Sequence, residues 1–254
     1  MPSRLVRLPR REFLLSSLRT GFTAAGIAAM SPAALAELLA TPSMTEGPFY
    51  PDRLPLDTDN DLLIVNEATA HGLGDITHLT GRVLSRAGEP VRNAVVEIWQ
   101  VDNNGAYLHS ADRNAERDKN FQGYGRFLTD SSGAYYFRTI KPVPYPGRTP
   151  HIHFAVSQNG QRVLTTQLFV AGQPQNERDG VLRSVGGEAE RKLLMGDFRK
   201  IEGSPLDEYE VEFNLTLGRT PAEGDDGQFP GVIAKSRGGF GGPGGRRGGP
   251  PPRQ

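Results

Sequence analysis

The chain has 254 residues, with 29 Lys or Arg, 29 Asp or Glu and no cysteine. That length suits one sizeable domain with flanking segments, and the lack of cysteine excludes disulfides, thiolate metal sites and cysteine nucleophiles. The balanced total hides an asymmetry, because residues 37–236 carry 20 basic and 28 acidic side chains and are net negative by eight. A nucleic-acid-binding domain should instead present a basic face, so we expect no nucleic-acid partner.

The first 36 residues have the features of an export signal. Arg10 and Arg11 precede Glu, Phe and two leucines, and residues 21–36 form a weakly apolar run that ends in Ala-Leu-Ala. A basic start, an apolar middle and such an ending describe a removable signal peptide, and the paired arginines resemble the twin-arginine export signal. We therefore predict that residues 1–36 are read by the twin-arginine export machinery and that the mature protein is periplasmic or extracellular.

Downstream of the signal, the predicted elements are short strands separated by turns. Residues 37–78 are expected to form an N-terminal arm that packs on a catalytic domain at residues 79–220. Apolar, β-branched or aromatic runs between turn sequences predict strands at residues 79–84, 94–101, 134–140, 151–157, 162–170 and 209–217. Residues 188–198 predict a short helix, and the Gly/Pro/Arg-rich residues 221–254 predict a disordered tail. This pattern favours an all-β fold, an antiparallel β-sandwich with long metal-binding loops and little helix.

Residues 142–154, PVPYPGRTPHIHF, place two histidines beside a tyrosine and an arginine. Residues two apart on a strand share a face, so His151 and His153 should point the same way and can bind one metal ion. The prolines stiffen the preceding loop, which should hold Tyr145 and Arg148 near the two imidazoles. The sequence therefore predicts a metal site at the start of this strand.

These residues and several further motifs, in the same order, resemble the intradiol ring-cleavage dioxygenase family, which includes the catechol and protocatechuate dioxygenases; a secreted, single-chain branch is the nearest likeness. The further motifs are TEGPFYP at residues 45–51, GRV at 81–83, VVEIWQ at 95–100, GAY at 105–107, FLTD at 127–130 and TQLF at 166–169. The resemblance implies four iron ligands, which are Tyr107, Tyr145, His151 and His153. It also implies that Arg148 and Gln167 lie beside the substrate, and that the iron lies between the sheets and the loops of a β-sandwich.

The resemblance further implies an enzyme that uses Fe(III) and O₂ to cleave a catechol-type ring between its two hydroxylated carbons, giving a cis,cis-muconate-type product. Tyr145 is implied both as a ligand and as the group that takes a proton from the substrate. Extradiol enzymes use two histidines and one carboxylate on Fe(II) instead. The two tyrosines decide between these classes in favour of the intradiol one.

Two other interpretations stay open on the residues themselves. One is a non-catalytic β-sandwich binding module in which His151 and His153 have structural roles. The other is a copper or zinc site with the same ligands, because imidazole suits those metals too. A homo-oligomer is also compatible with the sequence.

The sequence does not specify which catechol is the substrate. The loop between Tyr145 and His151 is shorter than in the catechol and protocatechuate enzymes, and that loop helps to form the pocket wall. An acidic substrate would need a cationic wall, which Arg126 or Arg162 could provide. His109 lies two residues beyond the predicted ligand at position 107 and could line the pocket.

Overall fold

The computed structural model describes residues 38–66, 69–113 and 115–218. The signal predicted at residues 1–36 and the tail predicted at residues 221–254 lie outside these ranges. The strands are β1 (Ile76–Leu84), β2 (Ala94–Trp99), β3 (Tyr124–Leu128), β4 (Ala134–Ile140), β5 (His151–Gln158), β6 (Gln161–Val170), β7 (Met195–Gly196), β8 (Arg199–Lys200), β9 (Tyr209–Glu212) and β10 (Leu215–Thr216). The helical elements are a 3₁₀ turn (Pro174–Glu177), α1 (Gly180–Arg183) and α2 (Glu188–Lys192).

These strands form two five-stranded sheets. In the first, β4 pairs antiparallel with β1, β9 and β10 pair parallel with the opposite side of β1, and β8 pairs with β9. The second has the order β3-β2-β5-β6-β7. The all-β prediction is confirmed, but both sheets are mixed rather than antiparallel, since β7 joins β6 in parallel. Parallel neighbours need a crossover, and the helical segment between β6 and β7 supplies it.

Most of the predicted strands are present with small shifts at their ends. The strand predicted at residues 134–140 matches β4, and those at 151–157 and 162–170 match β5 and β6 to within one residue. Asn159 and Gly160, between β5 and β6, have φ values of +52° and +77°. Positive φ at both central residues defines the type I′ hairpin turn that an Asn-Gly pair favours.

The strand predicted at residues 209–217 is instead two short strands, β9 and β10. The carbonyl of Phe213 accepts a hydrogen bond from the Tyr135 hydroxyl, and the Asn214 side chain accepts one from the Arg82 amide at 2.8 Å. These two bonds replace backbone pairing and interrupt the ladder with β1. The predicted alternation persists through the break, because Val211 and Phe213 are buried.

The helix predicted at residues 188–198 is shorter than expected and ends at Lys192. The chain then turns into β7, where the Leu194 carbonyl accepts a hydrogen bond from the Phe169 amide at 2.8 Å. Leu194 and Phe169 are both fully buried in one small apolar cluster, so pairing with β6 overrides the helical pattern. Within the described ranges, no helix is long and apolar enough to cross a membrane.

The main core lies between the two sheets. Alternate residues of each strand point inward, so Leu79 and Phe137 from the first sheet meet Ile98 and Phe154 from the second, all at 0% exposure. Burial of such side chains is the main contribution to stability in a two-layer fold of this size.

The outer face of the second sheet is buried as well. Trp99 and His153 are register partners on β2 and β5 and point away from the core. A second apolar cluster covers this face and comprises Trp99, Val101, Tyr107, Tyr124 and Ala155, with Phe49 and Tyr50 packed against it. Part of this cover is residues 41–52, which we call the covering segment.

Hydrogen bonds hold the start of the covering segment against the fold. Thr166 Oγ1 on β6 donates to the Pro42 carbonyl at 2.7 Å. Thr41 and Thr216 exchange two bonds, one from the Thr41 amide to the Thr216 carbonyl and one from the Thr216 amide to Thr41 Oγ1, each 2.9 Å long. The covering segment is therefore an integral part of the domain.

Candidate metal centre

His151 and His153 open β5 and point to the same side of it, as their spacing predicts. Their exposed fractions are 1% and 2%, and their Nε2 atoms are 3.2 Å apart. The Nδ1 atom of His151 lies 2.6 Å from the Thr149 carbonyl, to which it donates. That bond assigns the remaining lone pair of the neutral ring to Nε2.

Tyr107 reaches the two histidines from the loop that follows β2. Its Oη lies 3.0 Å from His153 Nε2 and 3.3 Å from His151 Nε2. The Tyr107 amide donates to Asp112 Oδ2 at 2.7 Å, and the tyrosine ring stacks on Phe49 with centroids 5.1 Å apart. This loop therefore holds the phenol firmly against both imidazoles.

Tyr145 and Arg148 are the first and last residues of one tight turn. The Arg148 amide donates to the Tyr145 carbonyl at 2.9 Å, and Gly147 has a φ of +82°. Pro at the second position and a positive-φ Gly at the third specify a type II turn. The Tyr145 ring consequently lies 5.3 Å from the Tyr107 ring and 5.5 Å from the His151 ring.

Arg148 is fixed by three side chains. Its Nε donates to Asp179 Oδ2 at 2.8 Å, its Nη2 donates to Gln167 Oε1 at 2.7 Å, and its Nη1 lies 3.4 Å from Tyr145 Oη. Gln167 is fully buried and its Nε2 donates to the Thr45 carbonyl at 2.9 Å. The structure thus brings together the predicted ligands and the two residues predicted beside the substrate.

Asp179 is a site residue that sequence reasoning missed. Its Oδ1 caps α1 by accepting from the Val181 and Leu182 amides, and its Oδ2 accepts from Arg148 and from the Thr149 amide. Burial raises its pKa, but these hydrogen bonds and the Arg148 charge outweigh burial and hold the pKa below the usual aspartate value. Its one sequence signal is its place as an N-cap before a short apolar run.

The centre lies on the outer face of the second sheet, between that sheet and the loops that cover it. His151 and His153 point outward from β5, whereas Ile152 and Phe154 between and after them fill the main core. The covering segment and the loops, rather than the first sheet, bury the two histidines. Alternation along β5 is the physical reason.

Burial controls the protonation of these rings. Burial first, and then the Arg148 charge, lowers the pKa of His151 to about 3, and burial lowers the pKa of His153 well below its usual value. Burial and the neighbouring Tyr145 raise the pKa of Tyr107 well above that of a free tyrosine. The imidazoles are therefore neutral near pH 7, and the Tyr107 phenol retains its proton until a cation displaces it.

This donor set fits a bound metal ion. Three donor atoms that lie 3.0–3.3 Å apart suit ligand bonds of about 2 Å to one ion. Nitrogen from imidazole and oxygen from phenolate suit Fe(III), and imidazole also suits copper and zinc. In the described part of the chain, no group of three His, Cys, Asp or Glu side chains is arranged to hold a metal. The oxygen atom within 3.3 Å of both imidazole Nε2 atoms is Tyr107 Oη.

Three residues are candidates for the pocket wall. His109 lines a cavity of about 300 Å³ together with Tyr107. Arg126 is exposed on β3 opposite Glu97, and Arg162 forms ion pairs with Glu46 and Glu97 at 2.8 and 3.1 Å. Both arginines lie beside Glu97 on the second sheet, and the Glu97 carboxylate partly neutralises the charge of Arg162.

Known proteins resemble this chain across the whole centre. A family model described as Dioxygenase matches residues 45–219. The protocatechuate 3,4-dioxygenase beta chain of Burkholderia cepacia is 40% identical over 187 residues, covering 66% of this chain and 76% of that protein. The chain belongs to the intradiol ring-cleavage dioxygenase family.

Other members of the family give a consistent result. The hydroxyquinol 1,2-dioxygenase of Rhodococcus opacus is 32% identical over 187 residues, covering 66% of this chain but 58% of that protein. The chain thus spans less than two thirds of the length of that relative. The dioxygenase domain of a dioxygenase carbohydrate-binding protein fusion from Streptomyces sp. SirexAA-E has a TM-score of 0.54 and 30% identity, covering 70% of this chain and 98% of that one.

Proposed function

We propose that this protein is an intradiol dioxygenase that uses Fe(III) and O₂ to cleave a catechol-type ring between its two hydroxylated carbons, giving a cis,cis-muconate-type product. The observation that carries the proposal is the convergence of Tyr107 Oη and the two histidine Nε2 atoms within 3.0–3.3 Å. The Tyr145–Arg148 turn lies directly beside them. Family membership supports ring cleavage of catechol-type substrates.

Tyr107, Tyr145, His151 and His153 would hold the iron. Bound there, ferric iron would supply a positive centre that takes up both catechol oxygens and makes the ring reactive toward O₂. The two phenolates favour the ferric state because they are hard, anionic ligands. Burial of both imidazoles keeps water and competing protons away from the ligand atoms.

Tyr145 and Arg148 have complementary roles in this proposal. Tyr145 Oη accepts a proton from a substrate hydroxyl, and Arg148 Nη1 lies 3.4 Å from that oxygen. Arg148 is always cationic and planar, so it also stabilises negative charge that develops on the ring. Gln167 and Asp179 fix the guanidinium on two sides, which keeps that charge preorganised.

The proposal is tested by reconstituting the protein with iron and recording its visible spectrum with and without a catechol. We expect a tyrosinate-to-iron charge-transfer band that shifts when a catechol is added, and a product that carries both atoms of ¹⁸O₂. Tyr107→Phe removes one of the two ligand oxygens, so it should weaken and shift the band and lower the turnover rate about 100-fold or more. Tyr209→Phe, a half-buried tyrosine on β9, is the matched control and should leave both unchanged.

The two alternatives predict different outcomes. A binding module would stay colourless after iron reconstitution and consume no oxygen. A copper or zinc protein would contain that metal when purified from its native host, and it would cleave no catechol ring after reconstitution with iron. Either result would overturn the dioxygenase proposal.

We extend the proposal to location: the chain is exported through the twin-arginine route by residues 1–36. The support comes from the sequence. Arg10 and Arg11 lie shortly before Phe13 and Leu14, and the predicted signal ends in small residues.

A further inference from the structure

The two histidines of the centre are held in different ways. His151 Nδ1 is hydrogen-bonded to the Thr149 carbonyl at 2.6 Å, which is the usual way a metal-binding imidazole is oriented. His153 Nδ1 is buried and has no hydrogen-bond partner among the described residues. No side chain or backbone group among the described residues therefore fixes the plane of the His153 ring through Nδ1.

The His153 ring stacks on the indole of Trp99. The ring centroids are 4.8 Å apart and the planes differ by 9°. Trp99 is fully buried, and its position opposite His153 is set by the β2–β5 register. Gly47 adjoins the ring as well, since an added Cβ there would lie 3.4 Å from His153 Cε1. The indole face is thus the flat surface against which the imidazole packs.

Trp99 is itself supported by a polar group behind it. The ring edge of Tyr50 contacts Trp99 at 5.0 Å with planes 81° apart, and Tyr50 Oη donates to Glu97 Oε1 at 3.0 Å. Glu97 is buried, also accepts from the Tyr124 hydroxyl, and its second oxygen pairs with Arg162 at 3.1 Å. This group anchors the covering segment to the sheet at the point where it touches Trp99.

We propose that Trp99 is a positioning residue of the metal centre, whose indole face fixes the His153 ring plane in place of the missing hydrogen bond. The Tyr50–Glu97–Arg162 group keeps the indole in place. The inference rests on the proposed function only in that His153 binds a metal. Loss of a partner that orients a metal-binding histidine weakens metal affinity about 10–100-fold, and the same loss is expected when the stack is removed.

The test measures Zn²⁺ affinity by competition with a chromogenic chelator, so that it does not depend on turnover. Trp99→Phe keeps an aromatic face, and Trp99→Leu keeps apolar bulk without one. Phe137→Leu is the matched control, because Phe137 is fully buried in the main core between the sheets. We expect Trp99→Leu to bind Zn²⁺ about 10-fold or more weakly, Trp99→Phe to stay within about 3-fold of the parent, and Phe137→Leu to be unchanged.

A merely structural role for Trp99 makes a different prediction. Trp99→Leu and Phe137→Leu would then lower the unfolding temperature while leaving Zn²⁺ affinity at the parent value, or would reduce affinity equally. Either result overturns the proposal. If the parent protein binds no metal at all, the result contradicts the proposed function itself. That outcome differs from a change confined to the Trp99 variants, so failure of the function and failure of the Trp99 role are distinguishable.

A second measurement covers the case in which Trp99→Leu does not fold. Trp99 is the one tryptophan of the chain, so its fluorescence reports on this stack alone. Cu²⁺ bound at His153 should quench most of the emission, and Tyr50→Leu, which removes the edge contact, should reduce both quenching and Zn²⁺ affinity about 3-fold or more. Unchanged quenching and affinity in Tyr50→Leu would contradict the proposal.

Discussion

Asp179 shows how one carboxylate serves both the fold and the site. It accepts from two amides of α1 with one oxygen, and from Arg148 and the Thr149 amide with the other. Its side chain is fully buried and that of Arg148 is 13% exposed. Breaking such a pair leaves an unpaired charge in a poorly solvated place, which costs far more than losing a surface ion pair.

Asp179→Asn should therefore lower the free energy of unfolding by about 3 kcal/mol. It should also lower the turnover rate, since Arg148 loses the partner that fixes its Nε. Urea denaturation measures the first effect and steady-state kinetics the second. Glu188→Gln breaks an exposed pair with Lys192 and should change neither; equal effects from the two variants would contradict the role assigned to Asp179.

The Asp179 carboxylate should also make the stability of the protein depend on pH in the acid range. Its pKa in the folded state lies below the usual aspartate value of 3.8. Its contribution to stability is therefore present above pH 3.8 and is lost as the pH falls through the folded-state pKa. The stability difference between the parent protein and Asp179→Asn should therefore shrink as the pH falls below about 4. Denaturation curves between pH 6 and pH 3 measure this difference, and a constant value would refute the assignment.

At the level of elements, a four-residue turn delivers both Tyr145 and Arg148 to the centre. Gly147 lies at a φ of +82°, and an added Cβ there would meet no atom within 4 Å. Substitution at this position is therefore a test of backbone conformation alone. Gly160 in the β5–β6 hairpin has a φ of +77° and equally open surroundings, which makes it a matched control.

Gly147→Ala should lower the free energy of unfolding by about 1 kcal/mol, because Ala adopts positive φ poorly. It should also lower kcat/KM at least 10-fold, since the turn that places Tyr145 and Arg148 is strained. Gly160→Ala should lower the free energy of unfolding by a similar amount and leave kcat/KM at the parent value. Equal kcat/KM in both variants would mean that the turn geometry does not position the two side chains.

Elements with a local signal were predictable from the sequence, and elements that depend on distant partners were not. Alternation specified β5 and the shared direction of His151 and His153. Strand β3 was not predicted, because Gly125 interrupts its apolar pattern. The glycine is needed there by close packing, since an added Cβ would lie 2.6 Å from Leu62 Cδ1. The sequence alone could not place Arg162, because its two acidic partners, Glu46 and Glu97, come from other segments of the chain.

The centre itself was only partly accessible to sequence reasoning. The ligand set followed from family resemblance, and the structure brings those four side chains together. The contact of Asp179 with Arg148 and the cover that residues 41–52 provide depend on segments that meet only in the folded chain. No periodic pattern records such contacts, so the sequence alone could not locate them.

For the whole molecule, the clearest test concerns export. Replacing Arg10 and Arg11 with Lys keeps the charge but alters the paired arginines that the export machinery is proposed to read. In a host that has this machinery, the parent chain should appear outside the cytoplasm without residues 1–36, and the double variant should stay inside. N-terminal sequencing of fractionated protein checks both outcomes; export of the double variant at the parent level would exclude this route.

The two hydrogen bonds between Thr41 and Thr216 join residues 175 positions apart. A ribosome makes the covering segment early and its anchor on β10 late, so this long loop cannot close during most of synthesis. Until residue 216 has emerged, the face that carries His153 lacks this anchor for its cover. The covering segment can therefore be anchored in this way only late in synthesis, which is the order that the proposed export of a folded protein would require.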